Sequence, residues 1–334
     1  MPRAVVAGAS GFIGAAVCEA LSEDGYDVVR IGRRDAVSWD DPDRIAAAVD
    51  GAEVVVNLAG KSVNCRYTDA NRDEILRSRI QTTAALRLAI SAAGHPPRLW
   101  LNASTATIYA HTMDRPHTEA DGRIGEGFSV DVARSWEREF FAGDLPRTRR
   151  VAMRMAIVLG DGPATRLLLT LARVGFGGPQ HDGPWFPHRR YRGIGDDPSG
   201  PDVGPPVHRT RGRQKFSWIH LDDVIGAIRF LIARDDLHGP VNLSSPRPSD
   251  NAELMRTLRR AVHVPLGIPS WRWMLEPAMW LLRTEPELVL KSRWVLPGVL
   301  VDAGYEFSHV DLVDAVDAVV AERAASGQAP RAAS

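Results

Sequence analysis

Lysine and cysteine are scarce in this 334-residue chain, which has three lysines (Lys61, Lys215 and Lys291) and two cysteines (Cys18 and Cys65). Two cysteines cannot frame a disulfide scaffold, so a reducing, cytoplasmic setting is the expectation. No charge of either sign is in excess, since Lys plus Arg and Asp plus Glu both number 41. That balance gives no footing for a nucleic-acid or anionic-membrane partner. Long apolar runs are missing too. The most apolar late stretch, 271–290, is broken by Glu276, Pro277, Arg283 and Glu285, so it cannot cross a bilayer as one apolar helix. Met-Pro-Arg leads directly into Ala4-Val5-Val6-Ala7-Gly8, and the expectation is a chain without a secretory signal. The histidines and acid of the middle segment, His181, Asp182, His188 and His208, match no ligand spacing, so no metal is expected.

An ordinary globular mixture is present, 44% apolar and 25% charged. Short β-branched runs at 4–7, 27–31, 53–58, 99–102 and 151–159 alternate with helical spacing at 13–22, 42–49, 71–93 and 129–141. Strands alternating with helices predict an α/β fold with a doubly wound parallel sheet. Beyond residue 160 the pattern loosens. The stretch 181–213 holds six prolines and six glycines interleaved with Arg189, Arg190, Arg192, Arg209, Arg211 and Arg213. It is either a lid over the cleft or a disordered loop. Later elements are expected at 216–220 (strand), 222–233 (helix, capped by Asp222), 241–243 (strand), 250–262 (helix, capped by Asp250 or Ser249) and 312–325 (helix), followed by a frayed end. The expected division is a nucleotide-binding domain from 1–160 plus 216–240, a substrate lobe from 161–215 and 241–310, and a C-terminal helix and tail from 311–334.

The sharpest local signal is Gly8-Ala9-Ser10-Gly11-Phe12-Ile13-Gly14, between the first strand and the first helix. Glycines there let backbone approach a pyrophosphate, and the helix N-terminus favours its charge. An NAD site places an acid at the end of the second strand to hold the ribose 2′-hydroxyl. This chain reads Ile31-Gly32-Arg33-Arg34 instead. Two guanidinium groups beside a small residue suit a 2′-phosphate, so the expected cofactor is NADP.

These residues, with Asn57-Leu58-Ala59-Gly60 and Phe216-Ser217-Trp218-Ile219-His220-Leu221-Asp222-Asp223-Val224, resemble the extended short-chain dehydrogenase/reductase (SDR) superfamily. Arg66-Tyr67-Thr68, Ser78-Arg79-Ile80, Val295-Leu296-Pro297 and Ala303-Gly304-Tyr305 narrow the resemblance to its atypical SDR39U or YfcH-like epimerase branch. The resemblance implies a Rossmann-like fold in which Asn57, Leu58, Ala59 and Gly60 line the nicotinamide. It also implies that Ser104 or Thr105 supplies the superfamily's hydrogen-bonding hydroxyl, with Tyr109 lining the substrate. Catalysis in this superfamily normally uses a Tyr followed four residues later by Lys. The five tyrosines here are followed at that spacing by Arg30, Asn71, Met113, Gly195 and His309. The dyad is absent, and the resemblance implies that the branch dispenses with it.

Candidates for the proton chemistry are therefore Ser104, Thr105, Tyr109 and Lys61, the last as a cation beside a tyrosine. Arg66, Arg79 and Arg154 are candidates for an acidic substrate or the cofactor phosphates. Cys65 reads as inert, and His220 as a buried structural histidine. Trp271, Trp273, Trp280 and Trp294 point either to a ring-bearing ligand or to core packing. The expected activity is NADP-dependent oxidoreduction, or epimerase-like chemistry, on a small organic alcohol or carbonyl compound. Two alternatives stand beside it: a non-catalytic NADP-binding sensor, and a redox-neutral epimerisation, dehydration or cyclisation. A homodimer is the one assembly expected, beside a small-molecule substrate as partner.

Overall fold

A computed structural model describes residues 1–200, 207–281 and 285–328. Six parallel strands form the central sheet: β1 (Arg3–Ala7), β2 (Asp27–Ile31), β3 (Val54–Asn57), β4 (Leu99–Thr105), β5 (Arg149–Met155) and, after two short strands β6 (Ile157–Leu159) and β7 (Trp218–His220), β8 (Gly239–Leu243). Their spatial order is β8-β5-β4-β3-β1-β2. Helices α1 (Phe12–Glu23), α2 (Pro42–Val49), α3 (Asp69–Ala92), α4 (Phe128–Phe141), α5 (Pro163–Arg173), α6 (Leu221–Ala233) and α7 (Asn251–Ala261) follow in chain order. They are succeeded by α8 (Arg272–Leu281) and, beyond two short helices, the C-terminal helix Leu312–Gln328. The expected doubly wound α/β architecture is what the chain adopts.

Strand periodicity accounts for the two layers. Val5, Val55, Trp100 and Ala152 point to one face, where Ile45, Leu86, Ile90 and Phe140 cover them. Their neighbours Val6, Val56, Leu101 and Met153 point to the other, under Val17, Leu21, Val224 and Ile228. Both faces are buried, so the strands read as continuous apolar runs. Among the described residues no helix is long and apolar enough to cross a membrane.

Two sequence expectations need correction. The run 151–159 is two strands, because the chain leaves the sheet after Met155 and Ile157–Leu159 pairs in parallel with Trp218–His220. A continuous apolar run carries no mark of where its pairing partner changes. Helix α6 is capped by His220 and not Asp222. Its Nδ1 accepts the Asp222 N–H at 3.2 Å, because the helix begins one residue earlier than expected. The Asp250 cap on α7 is as expected, accepting from the Glu253 N–H at 2.8 Å.

Of the insertion 181–213, residues 201–206 lie outside the described residues, as does the end of the chain expected to fray beyond 328. The remainder is tied down by backbone carbonyls and carboxylates. Buried Arg72 on α3 donates to the carbonyls of Arg189 (2.6 Å), Arg192 and Gly193 (3.1 Å). Asp131, in the first turn of α4, accepts from the Ile194 and Ser199 N–H groups at 3.0 and 2.8 Å. Arg190 pairs with Glu276, and Arg272 with Asp182 at 2.8 Å. His208 stacks on His111 with ring centroids 3.6 Å apart, and burial pushes both imidazoles down to about 4, so they stack neutral at pH 7.

Arg72→Met is expected to release this segment. Amide exchange at 189–199 should accelerate at least tenfold while exchange in β1–β5 is unchanged; equal protection in the variant would contradict the docking role of Arg72.

Candidate functional site

The order β2-β1-β3 places a topological switch point between β1 and β3, where a parallel sheet opens a crevice beyond its carboxyl ends. The turn at Gly8 fills the back of that crevice. Gly8 has φ of +81°, and a Cβ there would lie 2.8 Å from the Leu58 carbonyl and 2.9 Å from the Ala59 nitrogen. A Cβ on Gly14 would strike the Gly8 oxygen. Two backbones therefore meet with no room for a side chain. Ala9 is buried, whereas Ser10 and Gly11 are exposed at the rim and Phe12 and Ile13 are half-buried. The Phe12 ring lies where side chains on Gly160 and Gly162 would stand. Helix α1 starts on Gly11 with no side-chain cap and no acid in its first turn. Its N-terminal N–H groups and partial positive charge are left uncompensated.

At the tip of β2, Gly32 is buried and Arg33 and Arg34 are both exposed. Neither arginine has an ion pair or hydrogen bond among the described residues. Asp35 curls back so that its carboxylate occupies the space that a Gly32 side chain would need.

The residues after β3 divide by role. Asn57 is fully buried; its amide donates to Asn102 Oδ1 (2.7 Å) and Thr83 Oγ1 (3.2 Å), and its Oδ1 accepts the Ala59 N–H (3.1 Å). It shapes the turn from behind, while Leu58 lines the crevice. Ala59 is buried and Gly60 lies against the Arg79 side chain. Lys61 is held by its backbone, its N–H donating to Ser78 Oγ (3.0 Å) and its carbonyl accepting from Arg79 (3.0 Å). Lys61 is not among the residues lining the crevice.

At the end of β4, Ser104 and Thr105 line the crevice and Tyr109 does not. Tyr109 is 1% exposed, its hydroxyl donating to Asn242 Oδ1 and accepting from Arg154 Nη1, both at 2.9 Å. Burial raises its phenol further above the ordinary value, despite the Arg154 charge. The single-turn helix Ala106–Ile108 turns this tyrosine behind the sheet edge. Arg154 also grips Glu137 with two nitrogens, at 2.8 and 2.7 Å, and Ser104 Oγ donates to the same carboxylate at 2.5 Å. Its proton thus faces Glu137, leaving the oxygen's lone pairs for the crevice. Removing one partner of such a buried pair costs about 3–5 kcal/mol, so Ser104 is the group in this network that can be altered cleanly.

Together these elements enclose a cavity of about 490 Å³. It runs from Phe12, Ile13 and Leu58, past Ser104 and Thr105, to Phe216, Met279 and Arg293. Helix α4, where the superfamily's dyad would stand, presents Phe128, Ser129, Val132 and Trp136. No described residue of the insertion 181–213 lines the cavity; the insertion braces α3, α4 and α8 from outside. Arg79, one of the three expected arginines, lines the cavity, as does Tyr67, which no sequence pattern marked as a site residue. Burial and the nearby Glu287 and Glu285 carboxylates drive the Tyr67 phenol far above its ordinary value, so it stays protonated. Its neighbour Cys65 is likewise raised by burial. Of the other arginine candidates, Arg66 donates to the Trp280 carbonyl at 3.1 Å and Arg154 belongs to Glu137.

Among the described residues, the grouping with metal-ligand spacing is His220, Asp222 and His309, whose ligand atoms lie within 4.8 Å of one another. Its contacts are internal, Asp222 meeting His309 Nε2 at 3.1 Å, and none of the three lines the cavity.

Comparison with known proteins fits this geometry. The NAD dependent epimerase/dehydratase family model matches residues 4–125, and a domain of unknown function, DUF1731, matches 272–319. The epimerase family protein Mb2239 of Mycobacterium bovis is 31% identical over 333 residues, covering 95% of this chain and 97% of that protein. The Bacillus subtilis epimerase family protein YfhF is 26% identical, covering 95% and 97%. A crystal structure of human epimerase family protein SDR39U1 with NADPH superposes with a TM-score of 0.78 at 26% identity, covering 96% of this chain and 99% of that one. A glycine turn closed against β3, a cavity without the Tyr–Lys pair and this likeness across nearly the whole length lead to one assignment: the chain belongs to the NAD-dependent epimerase/dehydratase family of extended SDR proteins, in its SDR39U1-type epimerase branch.

Proposed function

We propose that this chain binds NADP(H) across the β1–β3 switch point and transfers hydride between its nicotinamide and a small organic alcohol or carbonyl compound. In this reading residues 1–160 with 216–240 hold the nucleotide, 161–215 with 241–310 build the substrate lobe, and 311–334 form the C-terminal helix and tail. The turn Gly8–Gly14 and the start of α1 receive the pyrophosphate. Arg33 and Arg34 receive the 2′-phosphate, and Leu58, Ala59 and Gly60 border the nicotinamide side.

The observation that carries the cofactor reading is a matched pair of unsatisfied positive features. One is an uncapped helix start without acids, and the other is two exposed arginines without carboxylate partners at the β2 tip. A phosphorylated dinucleotide satisfies both at once. The human relative crystallised with NADPH supports the same choice. When bound, the nicotinamide supplies the hydride. The protein's own contribution is to orient the reacting oxygen. Ser104 Oγ accepts from a substrate hydroxyl and passes its own proton along its hydrogen bond to Glu137 as the carbon gives up hydride, the reverse restoring the alcohol, and Thr105 stands beside it. The apolar walls exclude water from the reacting centre.

A second reading keeps the cofactor and drops turnover. The burial of Tyr109 and the absence of every lysine from the cavity lining favour a non-catalytic NADP-binding sensor. Cofactor binding and catalysis are separable on this fold.

By calorimetry the protein should bind NADPH at least tenfold more tightly than NADH. The Arg33→Ala/Arg34→Ala double variant should bring the two affinities within about twofold by loss of the charge-assisted contacts; an undiminished NADPH preference would refute the assignment. Hydride exchange between NADP⁺ and a panel of small alcohols deuterated at the carbinol carbon should fall about a hundredfold in Ser104→Ala. Exchange unaffected by that change would remove Ser104 from the chemistry, and NADPH binding with no exchange from any compound would favour the sensor.

A further inference from the structure

Of the three candidate arginines, Arg66, Arg79 and Arg154, Arg79 is the one that lines the cavity. It projects from α3 into the cavity wall, between the turn at Gly60 and the Trp136 ring, with its guanidinium carbon 5.0 Å from the ring centroid. Only Nη1 is committed, to the carbonyls of Ile75 (2.9 Å) and Lys61 (3.0 Å). Nε and Nη2, the edge that meets a carboxylate side-on, make no hydrogen bond among the described residues, and neither is sealed off. No carboxylate of the described residues reaches salt-bridge distance. Arg154, Arg190 and Arg272 show the contrast, since each is paired with a carboxylate, while Arg66 does not line the cavity.

The setting makes this charge costly to leave alone. Desolvation lowers Arg79 to about 10, which still leaves it protonated at neutral pH. A partly desolvated cation with one hydrogen-bonding nitrogen in use is a poor structural element and a good anion receptor. A side chain on Gly60 would press on Arg79 Cγ, Cζ and Nη1 at 3.2–3.3 Å, so the bare turn leaves the guanidinium room to lie flat. Around it the walls are apolar and aromatic: Tyr67, Ile75, Phe128, Val132 and Trp136.

We infer that the cavity takes a small molecule with an apolar or aromatic body and one anionic group, a carboxylate that docks side-on against Arg79. This rests on the reading of the same cavity as the substrate site beside a bound NADP(H), and it adds the substrate's chemical class. A phosphate of the cofactor itself is the competing source of the anion.

The test uses three acids with their uncharged amides: benzoate and benzamide, cinnamate and cinnamamide, 2-naphthoate and 2-naphthamide. Affinities are measured on the full chain by ligand-observed NMR and calorimetry, with and without saturating NADPH. At least one acid should bind tenfold or more tightly than its amide. Arg79→Gln should abolish that preference while NADPH affinity stays within about twofold, and Arg79→Lys, which keeps the charge without the fork, should retain only part of it. Equal binding of acids and amides, no binding by any acid, or a preference surviving in Arg79→Gln would overturn the inference. So would a tenfold loss of NADPH affinity in Arg79→Gln, which would assign the arginine to the cofactor. An acid preference in a wild-type protein that binds no NADPH would sink the nucleotide reading and leave the anion site standing.

Discussion

Contact between two bare backbones organises this protein. The Gly8 turn and the Leu58–Ala59 turn touch across the β1–β3 switch point, and Gly14 in turn lies on the Gly8 carbonyl. Any side chain at those glycines would push the strand ends apart or drive α1 away from the sheet. Because the contact is closed, the α1 N-terminus aims over the crevice and the tip of β2 stays free beside it. Everything assigned to nucleotide binding follows from that placement.

Behind the crevice, the protein spends its strongest polar groups on structure. Arg154, Glu137, Tyr109 and Asn242 form a buried network whose single outlet to the cavity is the Ser104 hydroxyl. Asn57 does the same on the neighbouring strand, joined to Asn102 and Thr83. The Tyr–Lys pair of the wider superfamily has no counterpart facing the cavity, where α4 presents Phe128, Ser129, Val132 and Trp136. What remains in reach of a ligand is several small hydroxyls, Ser104, Thr105 and Ser129 among them, a protonated phenol and the Arg79 and Arg293 guanidinium groups, a set suited to orienting and anchoring a substrate and poor in groups that titrate near neutrality.

The glycine turn, the arginines after β2 and the alternation of strands and helices were legible in the sequence because each is a local pattern with a local cause. Other features were not. Tyr109 reads as a strand-end aromatic facing the substrate, yet a single turn of helix at Ala106–Ile108 rotates it behind the sheet, a geometry that spacing does not encode. The insertion 181–213 has the composition of a loose loop, but Arg72 holds it through backbone carbonyls, which no side-chain pattern announces. Arg79 reads only as one of three candidate arginines in an arginine-rich chain, and its place in the cavity wall, which Arg66 and Arg154 do not share, sets it apart. The residues proposed for the cofactor are read from local patterns, whereas those proposed for the substrate depend on contacts between segments far apart in sequence.

A crystal structure with NADPH bound decides whether the Gly8–Gly14 turn and the β2 tip hold the nucleotide. The pyrophosphate is expected over the Gly8–Gly14 turn, the 2′-phosphate between the Arg33 and Arg34 guanidinium groups, and nicotinamide C4 facing the cavity within about 5 Å of Ser104 Oγ, near-attack spacing plus room for a substrate oxygen. A nucleotide bound elsewhere, arginines turned away from the ribose, or a nicotinamide facing away from Ser104 would contradict this placement.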